Sequence, residues 1–192
     1  MSVLILEGVT GSGKSSTVQA LAACASFRLY DEWQTFDDFL TQFWDDPSAA
    51  ALREIRRLES ILTEIEKSPR EDYLLERFHF SPIALGSDPA WYQSINERCA
   101  ALHCKTAVLT VPEEQLRCRS LNRKEHGARD WQALIARYGS EQAAIGLIRA
   151  AQNHRIEAVK RSGLPYLLVD TTAMAWREYS TELARWVGWL LR

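Results

Sequence analysis

Gly8, Gly13, Lys14 and Ser15 stand in the spacing GxxxxGK[ST] near the start of a 192-residue chain, inside the stretch EGVTGSGKSS. Three glycines in six positions let a backbone curl until successive N–H groups point inward, a shape that cradles phosphate oxygens. A helix beginning at the end of the loop adds the positive end of its dipole. In that arrangement Lys14 reaches the β- and γ-phosphates of a nucleotide, and the Ser15 hydroxyl binds Mg2+. Thr10, Gly11, Ser12 and Ser16 complete the candidate phosphate contacts. From average residue frequencies, a chance match in a chain this long is on the order of one in a hundred.

The other residues able to do chemistry follow short apolar runs. Asp31 and Glu32 follow FRLY, Glu76 and Arg77 end DYLLER, Thr110 lies in TAVLTV, and Asp170 and Thr171 end PYLLVDT. An arginine fork matches phosphate geometry, and a carboxylate beside it suits a metal ion or a reacting hydroxyl. Residues 117–129 hold Arg117, Arg119, Arg123, Lys124 and Arg129; Arg119 and Arg123 fall one helical turn apart, on one face. Such arginines, closing over a transferring phosphoryl group, would exclude water and stabilise its charge, with Gly127 as a hinge. His79 and His126 read as structural or solvated residues, because phosphoryl transfer needs no histidine.

The elements that position these residues are legible from periodicity. VLIL (3–6), FRLY (27–30), DYLLE (72–76), TAVLTV (106–111) and PYLLVD (165–170) have the length and apolar content of buried strands. Between them run helical patterns. KSSTVQALAACA starts at the glycine loop, and 48–67 carries Leu52, Ile55, Leu58, Leu62 and Ile65 on one face after Pro47. PAWYQSINERCAALH is helical, and 140–161 turns Ile145, Ile148, Ile156 and Val159 inward. The last helix is expected over 173–191, with Asp170 available as its N-cap. Strands alternating with helices imply a parallel sheet covered on both faces, with ligands beyond the carboxyl ends of its strands.

Composition excludes several classes. The chain is 46% hydrophobic and 25% charged with a net charge of −2, which suits one soluble domain and carries no basic nucleic-acid footprint. SVLIL and WVGWLL are too short for a secretory leader or a membrane span, so a cytoplasmic protein is expected. Cys24, Cys99, Cys104 and Cys118 lack zinc spacing and read as reduced, mostly buried thiols. Trp176, Trp186 and Trp189 read as core or dimer-interface residues, and Trp33 and Phe36 as an aromatic acceptor pocket or core.

LILEGVTGSGKSS resembles the opening of the thymidylate kinase and deoxynucleoside kinase group, in which a glutamate and a glycine, here Glu7 and Gly8, precede the loop. LLERFHFSPIA (74–84) resembles that group's acidic-arginine-aromatic strand end, and VPEEQLRCRSLNR (111–123) its entry into an arginine-bearing lid. VDTT (169–172) resembles the loop that lies against the adenine in small-molecule kinases of this architecture. The sequence departs from the group at Phe78, where a serine is usual, and in having Trp33 early and no proline beside it.

The resemblance implies an α/β, three-layer P-loop NTPase fold: a five-stranded parallel sheet, helices on both faces and a helical lid over about 113–138. It implies an ATP- and Mg2+-dependent kinase acting on a nucleoside or nucleoside monophosphate. Glu76 would then bind Mg2+, Arg77 would hold the acceptor, and Asp31 or Glu32 would serve as base. It also admits a homodimer. Two rivals share the loop: a phosphotransferase acting on an antibiotic or metabolite hydroxyl, and a nucleotide-binding regulatory ATPase.

Overall fold

Alternation along β1 (Val3–Gly8) builds a strand covered on both sides. Leu4 and Leu6 face one helical layer, Val3 and Ile5 the other, and all four are fully buried. The computed structural model describes residues 1–36, 45–121 and 138–191. In chain order β1 is followed by α1 (Lys14–Cys24), β2 (Arg28–Tyr30), α2 (Glu32–Phe36), α3 (Pro47–Lys67) and β3 (Tyr73–Glu76). Next come α4 (Phe80–Ala84), a 3₁₀ turn (Pro89–Tyr92), α5 (Gln93–Ala101), β4 (Lys105–Thr110) and α6 (Glu113–Leu116). A π turn (Arg117–Leu121), α7 (Glu141–Arg161), β5 (Tyr166–Asp170) and α8 (Trp176–Val187) complete the described chain.

The strands form one parallel sheet in the order β2-β3-β1-β4-β5. Its register pairs Leu6 with Glu76, Gly8 with Leu109, and Thr110 with Asp170. Parallel pairing puts every carboxyl end on the same edge, so the phosphate loop, Asp31, Arg77, Thr110 and Asp170 share one rim. Helices α1 and α8 cover one face through Leu21, Leu183 and Val187. Helices α3, α5 and α7 cover the other through Leu58, Leu62, Ile65, Ile95 and Val159.

Local chemistry sets the helix ends. Asp46 Oδ1 accepts the Ala49 N–H at 2.9 Å and Pro47 opens α3; Ser140 Oγ accepts the Ala143 N–H at 3.1 Å to open α7. Two expectations are corrected here. Leu52 is 51% exposed, while Glu54 shares the buried stripe of α3 with Ala51, Leu58 and Leu62. The last helix is shorter than 173–191: Gly188 (φ 96°) ends it, and the Trp189 N–H returns to Ala184 O at 2.8 Å. Trp189 then stacks on Phe27 with centroids 4.9 Å apart, in the core, the first of the two places expected for it. All four cysteines are free; Cys99 and Cys104 are buried, whereas Cys118 is exposed. Among the described residues no helix is long and apolar enough to cross a membrane.

Candidate active site

The loop between β1 and α1 is built to leave its N–H groups open. Gly13, the N-cap of α1, has φ 91° and no side chain with which to cap the helix, so the first turn of α1 presents unbonded N–H donors to a ligand. A Cβ at Gly13 would collide with the indole of Trp176, and one at Gly11 (φ 81°) would collide with the backbone of Arg119. Both positions therefore need glycine for space as well as for conformation. Ser12 and Gly8 are buried beneath the loop, Thr10 and Ser16 are half-buried, and Ser15 is exposed on the first turn.

Lys14 is 6% exposed and its Nζ donates to Gly8 O at 3.1 Å and Val9 O at 3.3 Å, folded back over the loop. Burial brings its pKa down to about 7; Arg77 and Arg155 push the same way, while Glu32 and Glu76 oppose them. The residues that shape Lys14 are thus the same ones that ring the space in front of the loop.

At the end of β3, Glu76 is 6% exposed, and burial raises its pKa against the opposing pull of Lys14. Arg77 next to it sits at φ 53°, a conformation a non-glycine residue adopts only under constraint. The constraint is visible: Arg77 N–H donates to Leu6 O at 3.0 Å, and Phe78 N–H to Glu7 Oε1 at 2.8 Å. Its guanidinium packs over the Phe36 ring at 5.5 Å and lies 2.9 Å from Glu32 Oε1. The Nε–H does not point along that contact, so charge rather than an aligned hydrogen bond holds the pair.

The structure divides Asp31 from Glu32. Asp31 Oδ1 accepts the Gln34 N–H while Gln34 Oε1 accepts the Asp31 N–H, both at 3.1 Å, a reciprocal cap that starts α2. Glu32 instead faces Arg77. Thr35 Oγ1 donates to Asp31 O and Glu76 O, tying α2 to the end of β3. Of the two aromatic residues expected in an acceptor pocket, Phe36 is buried under Arg77 and Trp33 is 76% exposed.

On the β5 side, the segment after β4 packs down onto the phosphate loop, with Ser120 Oγ donating to Thr10 O at 2.8 Å. Arg119 Nη1 donates to Thr171 O at 2.8 Å and its guanidinium stacks over Trp176 at 5.7 Å. Arg119 is therefore seated on the loop after β5. Arg123, Lys124, His126, Gly127 and Arg129 lie outside the described residues, as does most of the expected lid. Thr171 is buried and bonds back to Thr110 O through both its N–H and its hydroxyl. Asp170 Oδ1 accepts the Thr172 N–H at 2.8 Å and its hydroxyl, so it closes an Asx turn. It does not cap the last helix, which begins at Trp176 with Ala175 before it.

No protein-family description and no curated protein matches the sequence. Solved structures do match in shape. Shikimate kinase from Bacteroides thetaiotaomicron has a TM-score of 0.63 at 16% identity, over 96% of this chain and 97% of its own. Deoxyadenosine kinase from M. mycoides with bound dATP gives 0.59 at 12%, over 96% and 100%. The tunicamycin resistance protein of Deinococcus radiodurans gives 0.55 at 13%, over 99% and 97%. The fold is that of the P-loop kinases. The deoxynucleoside kinase group that the sequence resembles is one of several groups sharing it.

Within this P-loop kinase fold, two residues of the site escape a sequence reading. Arg155 of α7 is 2% exposed, and its Nε donates to Glu7 Oε2 at 2.9 Å while Nη2 donates to Ser81 Oγ at 3.2 Å. Ser81 Oγ in turn donates to Glu7 Oε2 at 2.8 Å. Glu7 thus joins β1 to the β3–α4 turn and to α7. The signal for Arg155 is its phase, since it falls on the stripe of Ile148, Gln152 and Val159 that faces inward. Trp176 is the second, seated against Gly13 where only a core or dimer role is legible from composition.

The residues around the loop fit a nucleotide with Mg2+. Among the described residues no cluster of three or more acidic, histidine or cysteine side chains forms a cage. Ser15 and Glu76 supply a hydroxyl and one carboxylate, which suits an ion completed by phosphate oxygens and water. His79 fits the structural reading: it is buried beside Phe80, its Nε2 is 3.4 Å from Asn96 Oδ1, and burial lowers its pKa to about 3. It lines a cavity of about 540 Å³ between α4, α5 and α7, on the helical layer rather than at the phosphate loop.

Proposed function

We propose that the chain is an ATP- and Mg2+-dependent phosphotransferase that moves the γ-phosphoryl to a small acceptor. The observation that carries this reading is the Glu32–Arg77 pair set in the same charge cluster as the phosphate-loop Lys14. A phosphate-binding loop alone serves any nucleotide protein; a carboxylate and an arginine across from it serve an acceptor. Ser15 and Glu76 would hold Mg2+, which would supply neutralisation of the phosphate charge.

In the transfer, Arg77 orients the acceptor and Glu32 takes the proton from its hydroxyl. The hydroxyl oxygen forms a bond to the γ-phosphorus as the bond from that phosphorus to the ADP oxygen breaks. Lys14 and the N–H groups of α1 stabilise the charge that ADP carries away. Arg119, Thr171 and Trp176 hold the adenine, a guanidinium and an indole being natural stacking surfaces. The close approach of Glu32 to Arg77 favours a hydroxyl acceptor over one already phosphorylated, because a phosphate would have to displace that carboxylate.

A nucleoside or nucleoside monophosphate is the acceptor that the sequence resemblance implies, and of the two the Glu32–Arg77 contact favours the nucleoside. A second reading is a metabolite or antibiotic hydroxyl, and the likeness to a shikimate kinase and to a tunicamycin resistance protein supports it equally. Product analysis tests the whole proposal. Incubation with ATP, Mg2+ and an acceptor panel yields a phosphorylated acceptor and ADP; a regulatory ATPase yields only ADP and phosphate. Lys14→Ala abolishes transfer with the fold intact, and Arg77→Ala lowers transfer far more than ATP binding. Equal losses of transfer and binding in Arg77→Ala would assign that residue a structural role.

A further inference from the structure

A cavity of about 120 Å³ opens beside Val9 and Thr10 of the phosphate loop, on the side where Arg77 stands. Its far wall is a stripe of α7 made by Ala144, Leu147, Ile148 and Ala151, with Leu85 and Tyr138 at its margins. Two arginines, Arg77 and Arg155, mark its polar side, and both are committed, to Glu32 and to Glu7.

The stripe is broader than packing requires. Ile145 is buried against Val9, Val111 and Leu116, which anchors this part of α7 to the core. Leu147, two residues on, is 42% exposed yet lines the cavity, so its surface remains for a ligand to cover. Across the cleft, Leu85 also packs on Phe36 and Ala50, extending the apolar surface beneath Arg77. Among the described residues lining the cavity there is no Asn or Gln, the side chains that pair with a nucleobase edge through two hydrogen bonds. Its volume is close to that of an apolar cavity that takes one benzene ring, about 150 Å³.

We infer that this cavity receives a ring-sized apolar group, aromatic or alicyclic, of an alcohol whose hydroxyl lies next to Glu32 and Arg77. The inference rests on the phosphotransferase reading and names its acceptor class. An R–O–P bond forms at that hydroxyl, its proton passes to Glu32, and the γ-phosphorus separates from ADP. The apolar wall of α7 supplies affinity for the ring, and the Arg77–Glu32 pair orients the hydroxyl.

The experiment uses the full chain with benzyl alcohol and cyclohexylmethanol as probes, against thymidine and deoxyadenosine. Phosphorylated product is followed with ATP and Mg2+, and binding by ligand-observed NMR with an unreactive ATP analogue. Leu147→Asn alters an exposed side chain, and Ala151→Leu fills the cavity; folding of both is checked by their affinity for the ATP analogue. The expected result is transfer to a ring alcohol, with its KM raised about tenfold or more in each variant, the effect of removing apolar contact in a binding pocket. A higher kcat/KM for thymidine or deoxyadenosine than for either ring alcohol overturns the inference, as does indifference of ring-alcohol binding to both substitutions. If ring alcohols bind the ATP-analogue complex, lose binding in Ala151→Leu and yet neither they nor the two nucleosides receive phosphate, the cavity assignment stands and the phosphotransferase reading fails.

Discussion

Lys14 connects the geometry of the loop to a measurable pH dependence. In the free protein its pKa is about 7, because burial and two arginines disfavour its charge. Bound phosphates favour the ammonium, so ATP raises that pKa. A group whose pKa rises on binding takes up a proton when the pH exceeds its free value. ATP affinity is therefore highest below pH 7 and falls as the pH climbs above it, approaching tenfold per unit. Calorimetry at pH 8 in buffers of different ionisation enthalpy detects the proton uptake, and a pH-independent affinity between 6 and 9 contradicts it.

Glu7 and Arg155 carry the second residue-scale prediction. Their contact joins a fully buried carboxylate to a guanidinium 2% exposed. Removing one partner strands the other without water, at a cost of about 3–5 kcal/mol. Arg155→Met shows that loss in urea denaturation. Adding Glu7→Gln recovers much of it, because the neutral amide no longer needs a cation yet still accepts the Phe78 N–H. A double variant no more stable than Arg155→Met alone would show that the pair is not coupled.

Among the elements, α3 carries an internal contradiction. Glu54 is 2% exposed on its buried stripe; among the described residues one carboxylate oxygen has no hydrogen-bond partner, and Arg57 is 3.7 Å from the other. Burial raises its pKa to about 8, against the pull of Arg57. Its folded pKa thus lies above its ordinary value of 4.5, so the folded state holds a proton that the unfolded chain releases. Stability is full below pH 4.5 and declines as the pH rises toward 8, by up to about 1.4 kcal/mol per unit. Glu54→Gln flattens that slope, which chemical denaturation at pH 5 and pH 8 measures. At the opposite rim, the turn after α6 rests on Gly11 and α8 presents Trp176 to Gly13, so two glycines of one loop receive two separate elements. The loop is thereby packed from two sides.

At the scale of the whole molecule, the candidate site draws residues from β1, β3, α2, α7 and the loop after β5, so nucleotide binding is expected to stabilise the fold. An unreactive ATP analogue with Mg2+ at a hundredfold its Kd adds about 2.7 kcal/mol of stability. For a chain of this size that corresponds to a rise in Tm of roughly 5–11 °C. Lys14→Ala removes the shift, and a shift that survives the substitution would place nucleotide binding elsewhere.

The sequence by itself determined the five strands, the phosphate loop and the rim on which Asp31, Glu32, Glu76, Arg77 and Asp170 stand. Each of these is written in spacings of a few residues: a period of two, a period of 3.6, or GxxxxGK[ST]. Only the tertiary structure decided which of those residues meet. It gave Asp31 to the cap of α2 and Glu32 to Arg77, turned Leu52 out and Glu54 in, and set Asp170 in an Asx turn. It also brought Arg155 to Glu7, 148 positions away, and Trp176 to Gly13. The reason is physical. Periodicity tells which face of an element is apolar, whereas contacts between distant elements follow from the sheet order β2-β3-β1-β4-β5 and from how each helix is rotated upon it.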